Sequence, residues 1–359
     1  MRPPYVVLAN HVNFWDPFLV GMLFDRQLHY IAADGNFRSR AMRLLMTVLG
    51  AVPKAKARND VDTIHALRDL VARKQAVALF PEGQRTWDGA PRELIPGTEK
   101  LLRILGVPVI RVALKGGYLS KPRWARRFRR GRVEIDLQLL YTARDLAVTP
   151  KHVLAAGITE SLRFDEDAWQ SETGRLFIGP DRAEGAEKLL FLCPDCGGWD
   201  TFRSRGNVVT CDECGHSAWF APSGTLYRLA EAYPTLTGLH RFPRVSRWNA
   251  YQRRQLQNAI RTGGPPPCVT DRAVLFTGFR SRPLYRHGTV RVTLEDETLR
   301  IEHEGEIEIP LKTIRGTNVQ YSFQLEFYAG GRLYVLRITP PGPSAYRFEQ
   351  TILYCQAGN

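Results

Sequence analysis

Short apolar runs alternate with segments of helical periodicity over the first 165 residues of the chain. The runs are rich in residues that favour strands, and they cover residues 5–9, 28–32, 76–80 and 107–114. Between them, the apolar spacing predicts a helix that begins near Asp60 or Asp62 and another over residues 98–105 that ends at Gly106. This alternation predicts an α/β domain over residues 1–165, with a mixed, largely parallel sheet flanked by helices.

The pattern changes after residue 165. Residues 166–188 are acidic and contain glycine, which predicts a linker, and residues 223–264 have a mostly helical pattern broken by proline, which predicts a helical connector. Residues 265–359 contain closely spaced strand patterns followed by a helical stretch at 344–354. That order predicts a small β-barrel with a terminal helix, and it resembles the architecture of a pleckstrin-homology domain.

Composition and charge narrow the class of protein. The chain has 359 residues, 44% of them hydrophobic, which is enough for several cores. It has no apolar run of the ~18 residues that a membrane-spanning helix needs, and its N-terminus lacks a signal-peptide pattern. We therefore expect a cytoplasmic protein, or one attached peripherally to the cytoplasmic face of a membrane.

The net charge of +14 predicts an anionic partner, which could be nucleic acid, an anionic membrane surface or a phosphorylated substrate. Basic residues are concentrated at 121–132, where seven Lys and Arg residues are interleaved with Trp124 and Phe128. Two interpretations of this segment stay open, a solvated loop and an interfacial contact with anionic lipid.

Four of the six cysteines form two Cys-x-x-Cys pairs separated by 14 residues. The pairs are Cys193 with Cys196 and Cys211 with Cys214. In a chain without a signal peptide, this spacing predicts a zinc ribbon over residues 189–222, with a closed, structural Zn²⁺ site of four thiolates. His216 is not expected to be a ligand, because the cysteines fill the coordination shell. A redox-active pair is the alternative.

Two polar motifs stand where predicted strands end. In NHVNFWD, His11 is followed five residues later by Asp16, close enough for a turn to bring the carboxylate to the imidazole. In FPEGQRT, Glu82, Gly83 and Arg85 offer a carboxylate, a tight turn and a guanidinium. Because the carboxyl ends of parallel strands meet at one edge of a sheet, the two motifs are expected to share a cleft. Each motif alone is also compatible with a solvated histidine or a charged turn.

These motifs resemble the glycerol-phosphate acyltransferase family, in particular its 1-acylglycerol-3-phosphate (lysophosphatidic acid) acyltransferases. The resemblance covers residues 5–162 and rests on four blocks in family order, NHVNFWD, GAVPKAKAR, FPEGQRT and GVPVIRVAL. Two positions depart from the family pattern. Gln84 stands where threonine is usual, and Arg111 stands where a second proline is usual.

The resemblance implies a role for each matching residue. His11 would act as general base on the acceptor hydroxyl, and Asp16 would orient its ring. Glu82 would order the acceptor, and the backbone beside Gly83 would help to hold the oxyanion. The acceptor phosphate would be held by basic side chains of the second and third blocks, namely Arg85, Lys54, Lys56 and Arg58.

The resemblance also implies the reaction. A fatty acyl group would pass from acyl-CoA or acyl carrier protein to the hydroxyl of a lysophospholipid, first of all 1-acylglycerol-3-phosphate, in phospholipid synthesis. Two alternatives stay open: acylation of another lysolipid, and a zinc-ribbon adaptor for nucleic acid or lipid with a vestigial catalytic half. The adaptor is disfavoured because the motif residues are all present, so nucleic acid is not the expected partner.

Members of this family usually carry helices ahead of the histidine motif, whereas nine residues precede Asn10 here. Either the natural start lies upstream, or other segments of the chain take over the role of those helices.

Overall fold

A computed structural model of the chain describes residues 2–54, 61–229, 236–263, 267–279 and 281–357. The described residues form two compact units. The first comprises Met1–Arg123 with Gly131–Gly174, and the second comprises Trp124–Arg130 with Arg175–Asn359. Lys56 and Arg58, both expected at the acceptor phosphate, lie outside the described residues.

The first unit is built on a six-stranded sheet. In chain order its strands are β1 Val6–Ala9, β2 Leu28–Ala33, β3 Val52–Lys54, β4 Ala76–Leu79, β5 Val109–Lys115 and β6 Glu134–Tyr141. Their spatial order is β3-β2-β4-β1-β5-β6, and only β6 runs antiparallel to its neighbour. The predicted mixed, largely parallel sheet is therefore confirmed. β3 was not predicted, because three residues with a central proline give no strand pattern.

Eight helices accompany this sheet in the described residues of the first unit. They are α1 Asp16–Gly21, α2 Arg40–Val48, α3 Val61–Ala72, α4 Thr98–Leu105, α5 Gly117–Ser120, α6 Ala143–Val148, α7 Lys151–Leu162 and α8 Glu166–Thr173. The core lies between the sheet and the apolar faces of α3, α4 and α7, which bury Leu67, Leu102 and Leu154 against Val77 and Val109. The predicted end of α4 at Gly106 has a clear cause, because this glycine adopts φ +60°.

The structure differs from the predicted linker at residues 166–188. The first part of this segment is the helix α8, in which Glu166, Trp169 and Gln170 are buried. Further along, Ala183 and Ala186 are also buried. Composition alone favoured a solvated segment, because acidic residues and glycines are spread along it and its buried side chains follow no helical or strand period.

The second unit begins with a five-stranded antiparallel sheet. Its strands follow one another as β7 Phe202–Arg205, β8 Val208–Cys211, β9 Ser217–Phe220, β10 Leu226–Leu229 and β11 Leu236–Leu239. The long helix α9 Val245–Thr262 comes next. The predicted helical connector at 223–264 is thus helical only in its second half, and its first half extends the sheet.

A seven-stranded antiparallel sheet and a terminal helix complete the second unit. The strands are β12 Cys268–Gly278, β13 Tyr285–Glu295, β14 Thr298–Glu302, β15 Glu306–Pro310, β16 Arg315–Gln320, β17 Gln324–Ala329 and β18 Arg332–Ile338, followed by α10 Ala345–Ala357. Their order is β15-β14-β13-β12-β18-β17-β16, so two meanders join through β12 and β18. The outermost strands β15 and β16 are not paired with each other among the described residues, so the sheet is a curled half-barrel, which is compatible with the predicted small β-barrel.

The basic segment at 121–132 is largely occupied by contacts within the protein. Trp124 is 1% exposed, and the buried Arg129 donates to the carbonyl of Arg182 at 2.6 Å. Arg126 and Arg127 pair with acidic side chains of the same unit. Of the two aromatic residues that favoured an interfacial contact, Trp124 is therefore part of the core, while Phe128 is exposed. Among the described helices, none combines the length and apolarity needed to cross a bilayer.

Candidate active site and metal centre

The histidine motif begins where β1 ends, and its first residue ties it to the neighbouring strand. The side chain of Asn10 is buried, donates from Nδ2 to the carbonyl of Leu114 at 2.9 Å and accepts from the Leu114 amide at 2.7 Å. These two bonds extend the pairing of β1 and β5 by one residue. The direction in which the chain leaves the sheet is fixed at this point.

Asp16 organises the turn that follows. Its side chain is fully buried, and Oδ2 accepts hydrogen bonds from the amides of Val12 at 2.6 Å and Asn13 at 2.9 Å. The same oxygen lies 2.7 Å from Nδ1 of His11. Asp16 is also the first residue of α1, where the helix dipole favours an acidic side chain. The expected pairing of His11 with Asp16 is therefore present.

The pairing fixes the tautomer of His11. A neutral ring that donates from Nδ1 to a carboxylate carries its lone pair on Nε2, the nitrogen that can accept a proton. Burial lowers the pKa of His11, while Asp16 acts in the opposite direction, and the charges of Arg85 and Arg123 lower it further. The ring also stacks on Phe80, with centroids 4.4 Å apart. A neutral, oriented imidazole is the form that a general base needs at neutral pH.

The FPEGQRT loop meets the histidine motif through its backbone. Oε1 of Glu82 accepts from the His11 amide at 2.9 Å, and the Thr86 amide donates to the His11 carbonyl at 3.0 Å. Both bonds are possible because β4, which precedes this loop, is the direct neighbour of β1. The expected shared cleft is thus formed by two adjacent parallel strands.

Gly83 contributes its conformation to this loop. It adopts φ +69°, and a Cβ built at this position would lie 2.7 Å from Cδ1 of Ile95. Its own N–H donates to the Phe80 carbonyl at 2.9 Å. The Gly83 amide is therefore engaged within the loop and is not available as an oxyanion donor in this conformation.

The basic residues expected at the acceptor phosphate lie at different places. Arg85 is close enough to His11 for its charge to lower the histidine pKa. Lys54 ends β3 at the same edge of the sheet, but it is three strand spacings from β1, roughly 14 Å. Arg123, which was not among the predicted site residues, donates to the Arg85 carbonyl at 3.3 Å and stacks over Trp87 at 4.1 Å. Arg123 is one of seven basic residues at 121–132, and the sequence does not distinguish it from the others.

The four paired cysteines converge in the second unit. Their sulfur atoms all lie within 4.8 Å of one another, with Cys193 to Cys214 at 3.7 Å and Cys196 to Cys211 at 3.8 Å. A tetrahedral zinc with Zn–S bonds of about 2.3 Å separates its ligands by about 3.8 Å. The four thiolates therefore fit a structural Zn²⁺ ion.

The two cysteine turns have the same backbone geometry. In each, the glycine after the second cysteine adopts a positive φ, +77° at Gly197 and +73° at Gly215, and its N–H donates back to the carbonyl of the first cysteine of the pair. No neighbouring atom lies within 4 Å of a Cβ built at either position. The glycines are therefore required by backbone conformation rather than by lack of space.

His216 follows the second cysteine pair, but its ring nitrogens contact Asp195 and His240. Nδ1 of His240 lies 3.0 Å from both the amide nitrogen and the carbonyl oxygen of Phe242. Nε2 of His240 lies 2.8 Å from Nε2 of His216, whose Nδ1 in turn lies 2.9 Å from Oδ2 of Asp195. Both ring nitrogens of His216 are thus engaged in a hydrogen-bonded chain.

Comparison with known proteins finds similarity for the region that contains the histidine motif and the FPEGQRT loop. Residues 1–115 match the family model described as Acyltransferase. Two curated relatives align with this acyltransferase-like region. A chloroplastic 1-acyl-sn-glycerol-3-phosphate acyltransferase, BAT2 of Brassica napus, is 29% identical over 115 residues, which are 32% of this chain and 33% of that protein. The chloroplastic LPAT1 of Arabidopsis thaliana, of the same description, is 27% identical over 115 residues, 32% of each.

The chain thus spans about a third of the length of the curated relatives it matches. Among solved structures, it is similar to the 1-acyl-sn-glycerophosphate (LPA) acyltransferase PlsC of Thermotoga maritima. The TM-score is 0.40 and the identity 19%, over 48% of this chain and 68% of that one. The cysteine cluster and the seven-stranded sheet lie outside the acyltransferase-like region.

Burial of Glu82 leads to a pH-dependent stability. Burial raises the pKa of Glu82 to about 7, against the effect of the amides of His11 and Arg92, which donate to it. A carboxyl whose folded pKa is raised stabilises the folded state at low pH, and this contribution is lost as the pH rises through about 7. Relative to Glu82→Gln, the wild type should lose on the order of 1–3 kcal/mol between pH 5 and pH 8.

Urea unfolding at several pH values measures this difference. Glu93→Gln, a change at an exposed carboxylate of the same loop, is the matched control and should leave the pH dependence of the wild type unaltered. Parallel stability curves for wild type and Glu82→Gln would contradict the assignment.

Proposed function

We propose that the protein transfers a fatty acyl group from a thioester donor, acyl-CoA or acyl carrier protein, to the hydroxyl of a lysophospholipid, with 1-acylglycerol-3-phosphate as acceptor. The observation that carries this proposal is the 2.7 Å contact of His11 Nδ1 with the buried Asp16, which leaves Nε2 as a base beside the FPEGQRT loop. The similarity of residues 1–115 to acyltransferases supports it.

The chemistry requires a base and no covalent enzyme intermediate. Nε2 of His11 takes the proton of the acceptor hydroxyl while its oxygen attacks the thioester carbonyl carbon. Asp16 stabilises the imidazolium that forms. The carbon–sulfur bond then breaks, and the leaving thiolate takes the proton from His11, which returns the site to its starting state.

Charge supports a phosphorylated acceptor. Arg85 and Arg123 place two guanidinium groups near His11, and guanidinium groups bind phosphate through paired hydrogen bonds. We infer that Arg85 and Arg123 hold the acceptor phosphate, with Lys54, Lys56 and Arg58 as further candidates at the edge of the sheet. Glu82, in the FPEGQRT loop, accepts a hydrogen bond from the His11 amide and so lies beside the base. We infer that Glu82 also orders the acceptor hydroxyl.

Replacement of the base tests the reaction. His11→Ala should lower turnover by ~10²–10⁴, because a positioned general base commonly contributes this much. His65→Ala, at an exposed histidine on α3, is the control and should have wild-type activity. The assay combines purified protein, labelled acyl-CoA or acyl carrier protein and a panel of lysolipids. Equal activity of the His11 variant and the wild type would refute the mechanism. Acylation of none of the lysolipids, together with tight binding of nucleic acid, would favour the adaptor.

We propose further that the four cysteines hold one structural Zn²⁺ ion. With four thiolate ligands the site is closed, so the ion would stabilise the turns and take no part in acyl transfer. Native mass spectrometry should find one zinc per chain, and Cys196→Ala should lose it. Cys355→Ala removes a thiol outside the cluster and should retain the metal. Zinc-free protein with intact folding would favour the redox alternative.

We propose that a cluster of aromatic side chains beside the active site contacts an anionic membrane surface. Phe14, Trp15 and Phe18 pack on one another with centroids 5.3–6.4 Å apart, although Phe14 and Trp15 remain 42% and 43% exposed. Met22, at the end of α1, is 82% exposed. Exposed apolar groups next to a site for a lipid substrate favour lipid contact.

Sedimentation with phosphatidylglycerol-containing vesicles tests this contact. The double variant Trp15→Ser with Met22→Ser should partition at least about 10-fold less than the wild type, because burial of one large apolar side chain contributes roughly 1.5–3 kcal/mol. Val148→Ser, at a position 69% exposed in the same unit, should partition like the wild type. Unchanged sedimentation of the double variant would exclude this surface.

A further inference from the structure

The Glu166 carboxyl is buried in the first unit, in a segment where the sequence predicts solvent. The residue is 1% exposed and stands at the first position of α8. It does not cap its own helix, because the preceding Asp165 does so by accepting from the amides of Asp167 and Ala168. The Glu166 side chain is therefore directed to another part of the unit.

That part is the turn that follows β5. Oε1 of Glu166 accepts from the Leu119 amide at 3.3 Å, and the Gly116 amide also donates to this carboxyl. Gly116 adopts φ +80°, and the two amides stand at the beginning and in the middle of the short helix α5. A single carboxyl group thus contacts the beginning and the middle of this turn.

The turn at Gly116–Leu119 contacts the histidine motif. The carbonyl of Gly117 accepts from Nδ2 of Asn13 at 3.1 Å. Gly117 also packs so closely on Val12 that a Cβ added to the glycine would lie 2.6 Å from Cγ2 of the valine. Val12 and Asn13 are the two residues whose amides donate to Oδ2 of Asp16. Contacts therefore run without a gap from Glu166 to the partner of His11.

The local charge balance suits an uncharged carboxyl at this position. Burial raises the pKa of Glu166 to about 8, against the effect of the Leu119 and Gly116 amides, and the charges of Asp167 and Asp16 act in the same direction as burial. At neutral pH the neutral acid predominates, so the pocket does not hold a second anion beside Asp16. A neutral carboxyl can still accept the Leu119 amide hydrogen bond through Oε1, as the side-chain oxygen of a glutamine would.

We propose that Glu166 is a positioning residue for the His11–Asp16 pair, acting through the turn at Gly116–Leu119. Because its hydrogen bonds go to the turn and not to His11 or Asp16, its loss should change how well the base is oriented and leave substrate binding intact. For its kinetic consequence the proposal rests on the proposed acyl transfer.

Three variants test the proposal in the full chain. Glu166→Met keeps the volume and removes the acceptor, Glu166→Gln keeps the acceptor, and Glu172→Ala changes an exposed carboxylate on the same helix. Glu166→Met should lower kcat ~10–100-fold with little change in KM, since displacement of a reacting group by about 1 Å can cost this much. Glu166→Gln should stay within about 3-fold of the wild type, and Glu172→Ala should equal it.

A second measurement does not depend on substrates. The proton on Nδ1 of His11 should give a downfield NMR signal that is absent from His11→Ala. Glu166→Met should lose or shift this signal at an unchanged melting temperature, while Glu166→Gln should keep it. A purely structural role would lower the melting temperature and the active fraction, leave the signal of the folded fraction in place, and thereby overturn the proposal.

The other possible outcomes also support or overturn the positioning role of Glu166. If the wild type acylates none of the lysolipids, the proposed function fails, and the NMR signal alone tests the positioning role. If Glu166→Met does not fold, Asn13→Ala interrupts the same route with Glu166 intact and must lose the signal. Full kcat in Glu166→Met, or an equal loss in the Met and Gln variants, would overturn the proposal.

Discussion

The acyltransferase-like region depends on the burial of one carboxylate. Asp16 has no exposed surface, and a buried charge is tolerated only where hydrogen bonds replace its hydration. Among the described residues, Oδ2 receives those hydrogen bonds from two successive amides and the His11 ring, while Oδ1 has no partner. All the compensation is concentrated on one oxygen. The backbone of the turn and the plane of the imidazole are therefore fixed by the same oxygen atom. If either moved, the buried carboxylate would lose a hydrogen bond.

The parallel sheet determines what can meet at this carboxylate. β1 lies between β4 and β5 in the sheet. Residues about 70 and about 100 positions after the histidine motif are therefore brought beside it. Glu82, from the loop after β4, contacts the His11 amide, and Leu114, in β5, holds Asn10. The turn after β5 then carries the contact with Asn13. Adjacent strands thus supply support to the histidine motif from both sides, and the ends of parallel strands concentrate it at one edge.

The second unit is held together by polar contacts of another kind. In the loop between the cysteine pairs, Asp200 forms an ion pair with the buried Arg347 of α10, whose guanidinium lies 4.9 Å over the ring of Trp199. One residue earlier in α10, Tyr346 donates to Asn249 of α9 at 3.1 Å. A buried arginine needs such a partner, since its charge would otherwise be desolvated without compensation. The cysteine-bearing sheet, α9 and the terminal helix are therefore coupled within one unit. The predicted boundaries between a ribbon, a connector and a C-terminal domain divide elements that pack together.

The sequence by itself determined the features that depend on local order: the apolar runs of β1, β2, β4 and β5, the end of α4 at Gly106, the spacing of the cysteine pairs, and the pairing of His11 with Asp16. These involve residues within a few positions of one another, so periodicity and turn chemistry are sufficient. Only the tertiary structure decided that Glu166 turns inward, that Arg123 joins Arg85, and that Trp124 belongs to the core. The physical reason is that a charged or aromatic residue in a loop has no periodic signal of its own. Whether it faces solvent or supports a site depends on which strands the fold brings beside it.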